Sequence, residues 1–231
     1  MDLRGFFKKI NETAVFAGLA EFNEPMAGHT TFKTGGLADL WVKPEKSIFI
    51  NWTAAMLKAA KAEGVPVFIL GGGANLLVAD KGIRGIVLDT GFWEEISGAA
   101  PENAVKRKEG CELTAESLKA ESLTAEVLTV KVLSGTSIDG LARNLAAKGL
   151  SGMQSFAGMP GSVGGAVWMN ARCYDKSISD VLVKVEILNE NFEVAAAAIN
   201  KNDFSYKQSP FQKRDVLILS AYFMVEPGET V

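Results

Sequence analysis

Glycine is what most limits how this chain can fold: there are 23 in 231 residues, and they are not spread evenly. They crowd into Gly35-Gly36, Gly71–Gly73, Gly82 and Gly85, and the stretch from Gly149 to Gly165. Glycine clustered in this way, without proline-rich low complexity around it, marks places where backbone turns sharply or approaches something closely.

The segments between the clusters alternate α and β signals. Met1–Asn11 reads as an amphipathic helix, with Leu3, Phe6, Phe7 and Ile10 at helical spacing. Ala38–Val42 reads as a strand, and Ser47 to Glu63 as a helix with Ser47 as N-cap and Gly64 as the residue that closes it. Val65–Leu70 and Ile83–Leu88 are short apolar runs of the kind found in buried parallel strands. Strand, helix and strand followed by Gly71–Gly73 make a βαβ unit with its tight turn at the carboxyl end of a strand, where α/β sheets bind ligands. Between 97 and 126 the texture changes. Leu113, Leu118, Leu123 and Leu128 recur at a spacing of neither helix nor strand, which suggests an elaborated surface insertion with room for a helix. Val127–Leu133, Val181–Leu188, Glu193–Ala198 and Val216–Val225 read as strands, and Ser137–Lys148 as a helix capped by Ser137. The expected division is an N-terminal helix over 1–19, a small βαβ lobe over 20–92 and a larger mixed lobe over 93–228.

Bulk properties exclude several classes. A net charge of −3 argues against a chain that coats nucleic acid. No apolar run reaches the roughly 20 residues that crossing a bilayer requires. One histidine and two cysteines, Cys111 and Cys173, supply neither a metal-ligand spacing nor a disulfide framework, so no metal is expected. A reduced, cytoplasmic protein is the simplest reading.

Two motifs could carry chemistry. In Gly71-Gly72-Gly73-Ala74-Asn75-Leu76, successive small residues expose backbone N–H groups that can cradle a phosphate, and Asn75 adds an amide. The run lacks the Gly-Lys-Ser/Thr ending of a P-loop, and Leu76 stands where the dinucleotide fingerprint needs glycine. Leu76–Val78 reads as apolar, strand-like chain. In Gly158–Ala166, residues Gly158, Pro160, Gly161, Gly164 and Gly165 with the Ser162 hydroxyl could run backbone along a flat ligand. Met169 and Asn170 follow, the latter with an amide suited to a ring edge. Two such loops suit an elongated diphosphate ligand.

Four segments in order make the resemblance specific: HTTFKTGGLADLWVKP (His29–Pro44), LGGGANLLVADKGIRGIVLDTG (Leu70–Gly91), GLSGMQSFAGMPGSVGGAVWMNA (Gly149–Ala171) and FSYKQSPF (Phe204–Phe211). Together they resemble the UDP-N-acetylenolpyruvoylglucosamine reductases, the MurB family, from about Glu24 to Gly228. The resemblance implies an α+β, FAD-binding fold of the vanillyl-alcohol oxidase type, with two α+β subdomains holding FAD between them. It also implies a reaction in which NADPH reduces FAD and the flavin reduces the enolpyruvyl group of a UDP-sugar to UDP-N-acetylmuramate, for peptidoglycan. By residue, Gly71, Gly72, Gly73, Ala74, Asn75 and Leu76 match the first pyrophosphate loop, and Pro160, Gly161, Ser162, Gly164, Gly165, Met169 and Asn170 the second flavin-binding stretch.

The catalytic match departs from the family pattern. Where the family has Tyr-Arg-x-Ser-x-Phe, this chain has Tyr206-Lys207-Gln208-Ser209-Pro210-Phe211. The resemblance makes Lys207 the catalytic candidate, with Tyr206 and Ser209 at the substrate. Lysine keeps the charge and loses the bidentate fork of arginine. The family's further substrate domain, with its serine proton donor and late glutamate, has no counterpart up to Val231, which implies FAD binding with impaired turnover. The alternative is a non-catalytic flavin-binding module or a decayed paralogue. A sugar or alcohol oxidase of the same fold fits the loops but not the Tyr206–Phe211 motif. Covalent flavin attachment at His29 and flavin contacts from Cys173 or Trp168 are not expected, because packing accounts for such residues.

Overall fold

The computed structural model describes residues 2–98, 105–107 and 125–228. They fall into two compact units, Met1–Trp93 with Glu190–Glu193 and Glu94–Asn189 with Val194–Val231.

The first unit runs α1 (Leu3–Thr13), β1 (Gly18–Pro25), β2 (Leu37–Pro44), α2 (Phe49–Glu63), β3 (Val67–Leu70) and β4 (Ile83–Asp89). Its sheet has the order β1-β2-β4-β3. β1 lies antiparallel to β2, while β2, β4 and β3 run parallel. The expected βαβ unit is β2-α2-β3, with β4 slotted between the two strands. Phe49, Trp52, Met56 and Ala60 recur along one buried face of α2, the spacing that lets an amphipathic helix cover a sheet. Gly64 closes the helix in the left-handed conformation at φ 67°, where a side chain would strain the backbone. The start of α2 departs from expectation, because Ser47 is not its N-cap. Turn bonds from Ile48 N to the Glu45 carbonyl and from Phe49 N to the Lys46 carbonyl occupy residues 45–48, so the helix begins at Phe49 behind Ile48. In α1, Leu3, Phe6 and Ile10 are buried. Lys9 reaches Glu63 of α2 at 2.6 Å and Trp52 donates to Asn11 at 3.1 Å.

Leu76–Val78 forms no strand. The chain from Gly71 to Gly82 joins two neighbouring parallel strands as irregular backbone. Its apolar residues anchor it singly: Val78 is buried with Met26, Trp41 and Leu70, whereas Leu77 is exposed.

The second unit contains β5 (Ile96–Ser97), β6 (Val105–Arg107), β7 (Ala125–Leu133), α3 (Ile138–Ala147), β8 (Leu150–Ser151), α4 (Val163–Trp168), β9 (Arg172–Cys173), β10 (Lys176–Ser177), β11 (Leu182–Leu188), β12 (Val194–Ala198) and β13 (Leu217–Pro227). The main sheet has the order β12-β11-β13-β7-β5, with β6 on β7 and β8 on β13, all antiparallel. Val130, Val132, Leu141, Phe156, Val163, Phe211 and Phe223 share its core. Ser137 caps α3 as expected, its hydroxyl accepting from Gly140 N. Of the 97–126 segment, residues 97–98, 105–107 and 125–126 are described, and Leu113, Leu118 and Leu123 lie outside the described residues. β7, β11 and β13 also carry a polar cluster. Glu186 accepts from Ser220 and Tyr222, each at 2.7 Å, and pairs with Lys131 at 2.7 Å. Burial pushes the Glu186 carboxyl up, but the bonds from Lys131, Ser220 and Tyr222 outweigh it and hold the group at about 2.

Candidate functional site

The first glycine loop leaves the carboxyl end of β3. Gly73 has φ +60°, and a Cβ there would run into the His29 carbonyl oxygen. The glycine therefore serves both a left-handed turn and a close backbone approach. Thr31 N donates to the Gly73 carbonyl at 3.1 Å, and the Thr31 hydroxyl reaches the Ala74 carbonyl at 3.3 Å. At the other end, Thr90 donates to the Leu70 carbonyl through its N–H at 3.0 Å and its hydroxyl at 3.1 Å. These braces all take carbonyls of the loop. Gly72 and Asn75 are exposed, Gly71 and Ala74 half-buried, and Leu76 is tucked partly against the Val78 cluster.

Beneath this loop lies a titratable cluster that sequence reasoning missed. His29 Nε2 is 2.8 Å from Glu24 Oε1, and its Nδ1 is 3.9 Å from Asp89 Oδ2. The ring lies tilted against Trp41, at an interplanar angle of 36° with centroids 4.6 Å apart. Burial raises the Asp89 carboxyl above the usual range. The Gly91 N–H at 2.7 Å, Lys43 and His29 oppose the rise without cancelling it. The buried Trp41 indole N–H lies near enough to pull in the same direction, without completing a hydrogen bond. Sequence reasoning gave no pointer to the pairing, since His29 and Asp89 are brought together only by the sheet.

The second glycine stretch is not extended backbone throughout. Pro160 and Gly161 lead into a short helix, α4, which begins at Val163 behind Ser162, whose hydroxyl accepts from Gly165 N at 3.3 Å. Gly164 fits because its N–H meets the Ser134 carbonyl at 2.8 Å, and a Cβ would lie 2.8 Å from Ser134 Cβ. Gly165 is exposed and Met169 half-buried.

α4 ends against the segment that carries the catalytic candidate. The Trp168 carbonyl accepts from the Ser209 hydroxyl at 2.7 Å and from Gln212 Nε2 at 3.0 Å. Asn170, buried and at φ 42°, donates to the Ser205 carbonyl at 2.9 Å, while its own carbonyl accepts from Ser179 N at 3.1 Å. Both side chains thereby brace the 205–212 segment against the end of α4. Between these anchors Ser205 and Gln208 pair across a two-residue turn with Tyr206 and Lys207 at its tip. Tyr206 is 72% exposed, and Lys207 Nζ sits 5.5 Å from its ring centroid. Lys207 has φ +56°, a conformation that a side chain adopts only where its surroundings impose it. The structure thus brings the second glycine stretch to the Tyr206–Phe211 motif. Cys173 is half-buried, and Trp168 is partly exposed. Among the described residues no cluster of three or more His, Cys, Asp or Glu could hold a metal, and no helix is long and apolar enough to cross a membrane.

The chain is 34% identical over 222 residues to a UDP-N-acetylenolpyruvoylglucosamine reductase of Agathobacter rectalis, covering 96% of this chain and 65% of that protein. To the enzyme of the same name from Bacillus subtilis it is 38% identical over 192 residues, 83% of this chain and 54% of that one. It thus spans less than two thirds of the length of these relatives. Among solved structures, the UDP-N-acetylenolpyruvylglucosamine reductase of Thermus caldophilus superposes with a TM-score of 0.63 at 21% identity, over 93% of this chain and 64% of that one. An alkyldihydroxyacetonephosphate synthase superposes with a TM-score of 0.62 at 13% identity, over 98% and 44%. The shared fold is the α+β, FAD-binding fold of the vanillyl-alcohol oxidase type. Residues 51–196 match the FAD binding domain model, more than half of the chain, and by that match the chain belongs to the FAD binding domain family.

Proposed function

We propose that this chain acts as an FAD-dependent oxidoreductase that takes hydride from NADPH and reduces UDP-N-acetylglucosamine enolpyruvate to UDP-N-acetylmuramate, in the cytoplasm, for peptidoglycan synthesis. One observation carries the reading: the 34% identity to a reductase of that name extends over 96% of the chain.

The residues fit the cofactor. Gly71 and Gly72 offer backbone without side chains, and the buried Gly73 is held through its carbonyl by Thr31; such a run accommodates a diphosphate. Gly71, Gly72, Gly73, Ala74 and Asn75 would hold the diphosphate, with Leu76 fixing the end of the loop. Pro160, Gly161, Ser162, Gly164, Gly165 and Met169 would line the flavin. Bound FAD would supply the hydride chemistry. Lys207 would set its ammonium against the substrate carboxylate, and Tyr206 would flank it. Asn170 would join the flavin-lining residues and Ser209 the substrate contacts, while their bonds to the Ser205 and Trp168 carbonyls hold the turn.

The purified protein is expected to show flavin absorbance or to take up added FAD, and a colourless protein indifferent to FAD would refute the reading. After reduction by NADPH, the UDP-sugar should reoxidise the flavin, and Lys207→Ala should slow this step at least ~10-fold. Lys207→Arg should preserve or raise the rate, because it restores the fork. A second reading, a flavin-binding module without turnover, draws on the lysine at this position. It predicts a yellow protein whose reduced flavin the UDP-sugar leaves untouched.

A further inference from the structure

The proposed reaction gives the Glu24–His29–Asp89 cluster no part, yet the cluster joins the two segments that brace the start and the middle of the first glycine loop. His29 belongs to the segment that holds the middle of the loop: Gly73 packs on its carbonyl, and Thr31 bonds the Gly73 carbonyl at 3.1 Å. Asp89 belongs to the segment that holds the start: it pairs with Leu70 in the β3–β4 ladder, and Thr90 bonds the Leu70 carbonyl twice. The imidazole is a side-chain link between these two segments, 2.8 Å from Glu24 and 3.9 Å from Asp89.

We propose that His29 and Asp89 are positioning residues for the first glycine loop, forming with Glu24 a protonation-dependent clasp that sets how tightly the loop holds a diphosphate. The inference rests on the reading of Gly71–Asn75 as the diphosphate cradle. A neutral imidazole has one N–H. Spent on Glu24, it leaves a bare Nδ1 lone pair facing the Asp89 carboxylate. The imidazolium has two N–H groups and serves both carboxylates, drawing the 29–31 and 89–90 segments together. The charged groups around the ring are Glu24 from β1, Asp89 from the end of β4 and Lys43 from β2, whose ammonium acts on Asp89. Trp41 covers one ring face. The burial that raises Asp89 sets the acid limit, since a protonated Asp89 no longer needs the imidazolium.

The test is FAD binding to the whole chain, followed by flavin fluorescence and calorimetry between about pH 6 and pH 8, the ordinary range of imidazole titration. Neither the diphosphate nor the isoalloxazine of FAD titrates in that interval. Wild-type affinity is expected to fall about fivefold from the acidic to the basic end, the scale of a partly screened ion pair. His29→Gln and Asp89→Asn should bind FAD with a flat profile across the same interval. A merely structural His29 would give weaker binding in the variants with the slope intact, and that result overturns the clasp. So does a flat wild-type profile, which decides the matter even if a variant fails to fold. Wild type that binds no FAD at any pH overturns the cradle reading and the clasp with it, an outcome distinct from binding without slope.

Discussion

The two glycine loops reach similar sequences by different physics. The first is irregular backbone between adjacent parallel strands, held by backbone bonds to flanking segments and underlain by a buried carboxylate, Asp89, whose surroundings disfavour its charge. The second is organised by a helix, α4, with a side-chain cap, and its unit carries a carboxylate, Glu186, whose surroundings strongly favour its charge. Small residues therefore serve opposite ends: in one loop they let the chain bend where no regular element could form, and in the other they let a helix approach a neighbouring turn.

The largest expected contrast is between Gly73→Ala and Gly164→Ala. Gly73 faces both a positive φ and the His29 carbonyl, so the alanine should cost about 3 kcal/mol or more. Gly164 has no positive φ, and a Cβ there would meet Ser134 at its Cβ, 2.8 Å, and its carbonyl oxygen, 3.1 Å, a clash worth about 1–3 kcal/mol. Urea unfolding measures both, and equal losses would erase the distinction drawn between the loops. Next, Ser162→Ala should cost about 1 kcal/mol through loss of the α4 cap, whereas Asn75→Ala, at an exposed position, should leave the urea midpoint nearly unchanged and weaken FAD binding instead. The smallest effects separate the carboxylates by sign. Glu186 is depressed to about 2 in the fold. Its contribution is complete above the ordinary carboxylate range near 4.5 and disappears as pH falls towards 2. After solvent screening, Glu186→Gln should cost about 1 kcal/mol or less at neutral pH. Asp89 is raised, so its ionisation opposes folding once pH climbs above its unfolded value of 3.8. Asp89→Asn should therefore stabilise at neutral pH and lose that advantage in acid, as stability curves against pH will show.

Much of this was legible in sequence. The strands announced themselves as short apolar runs, Gly64 as a helix stop and Ser137 as a cap, because each rests on local backbone chemistry. α4 did not, since Val163–Trp168 is short and holds two glycines. Its stability comes from Ser162 and from the Ser134 contact, which is tertiary. The resemblance singled out Asn170 and Ser209 but not the carbonyls to which they bond, because those contacts are made across the fold. Ser47 failed as a cap because the turn at 45–48 intervenes. The His29–Asp89 contact was beyond reach, for it depends on β1, β2 and β4 assembling with their register fixed.

The strand order of the second sheet has a consequence for how the protein is made. β13 lies between β11 and β7, so the centre of that sheet is translated after both its neighbours. Until residues 217–227 leave the ribosome, β7 and β11 each have one edge waiting for a partner, and Ser209 and Gln212 reach Trp168 only shortly before. The first sheet is complete by Asp89. A nascent chain should therefore acquire its first glycine loop early and hold the second unit open until late, which makes slow decoding or chaperone cover most valuable over the interval from β7 to β13.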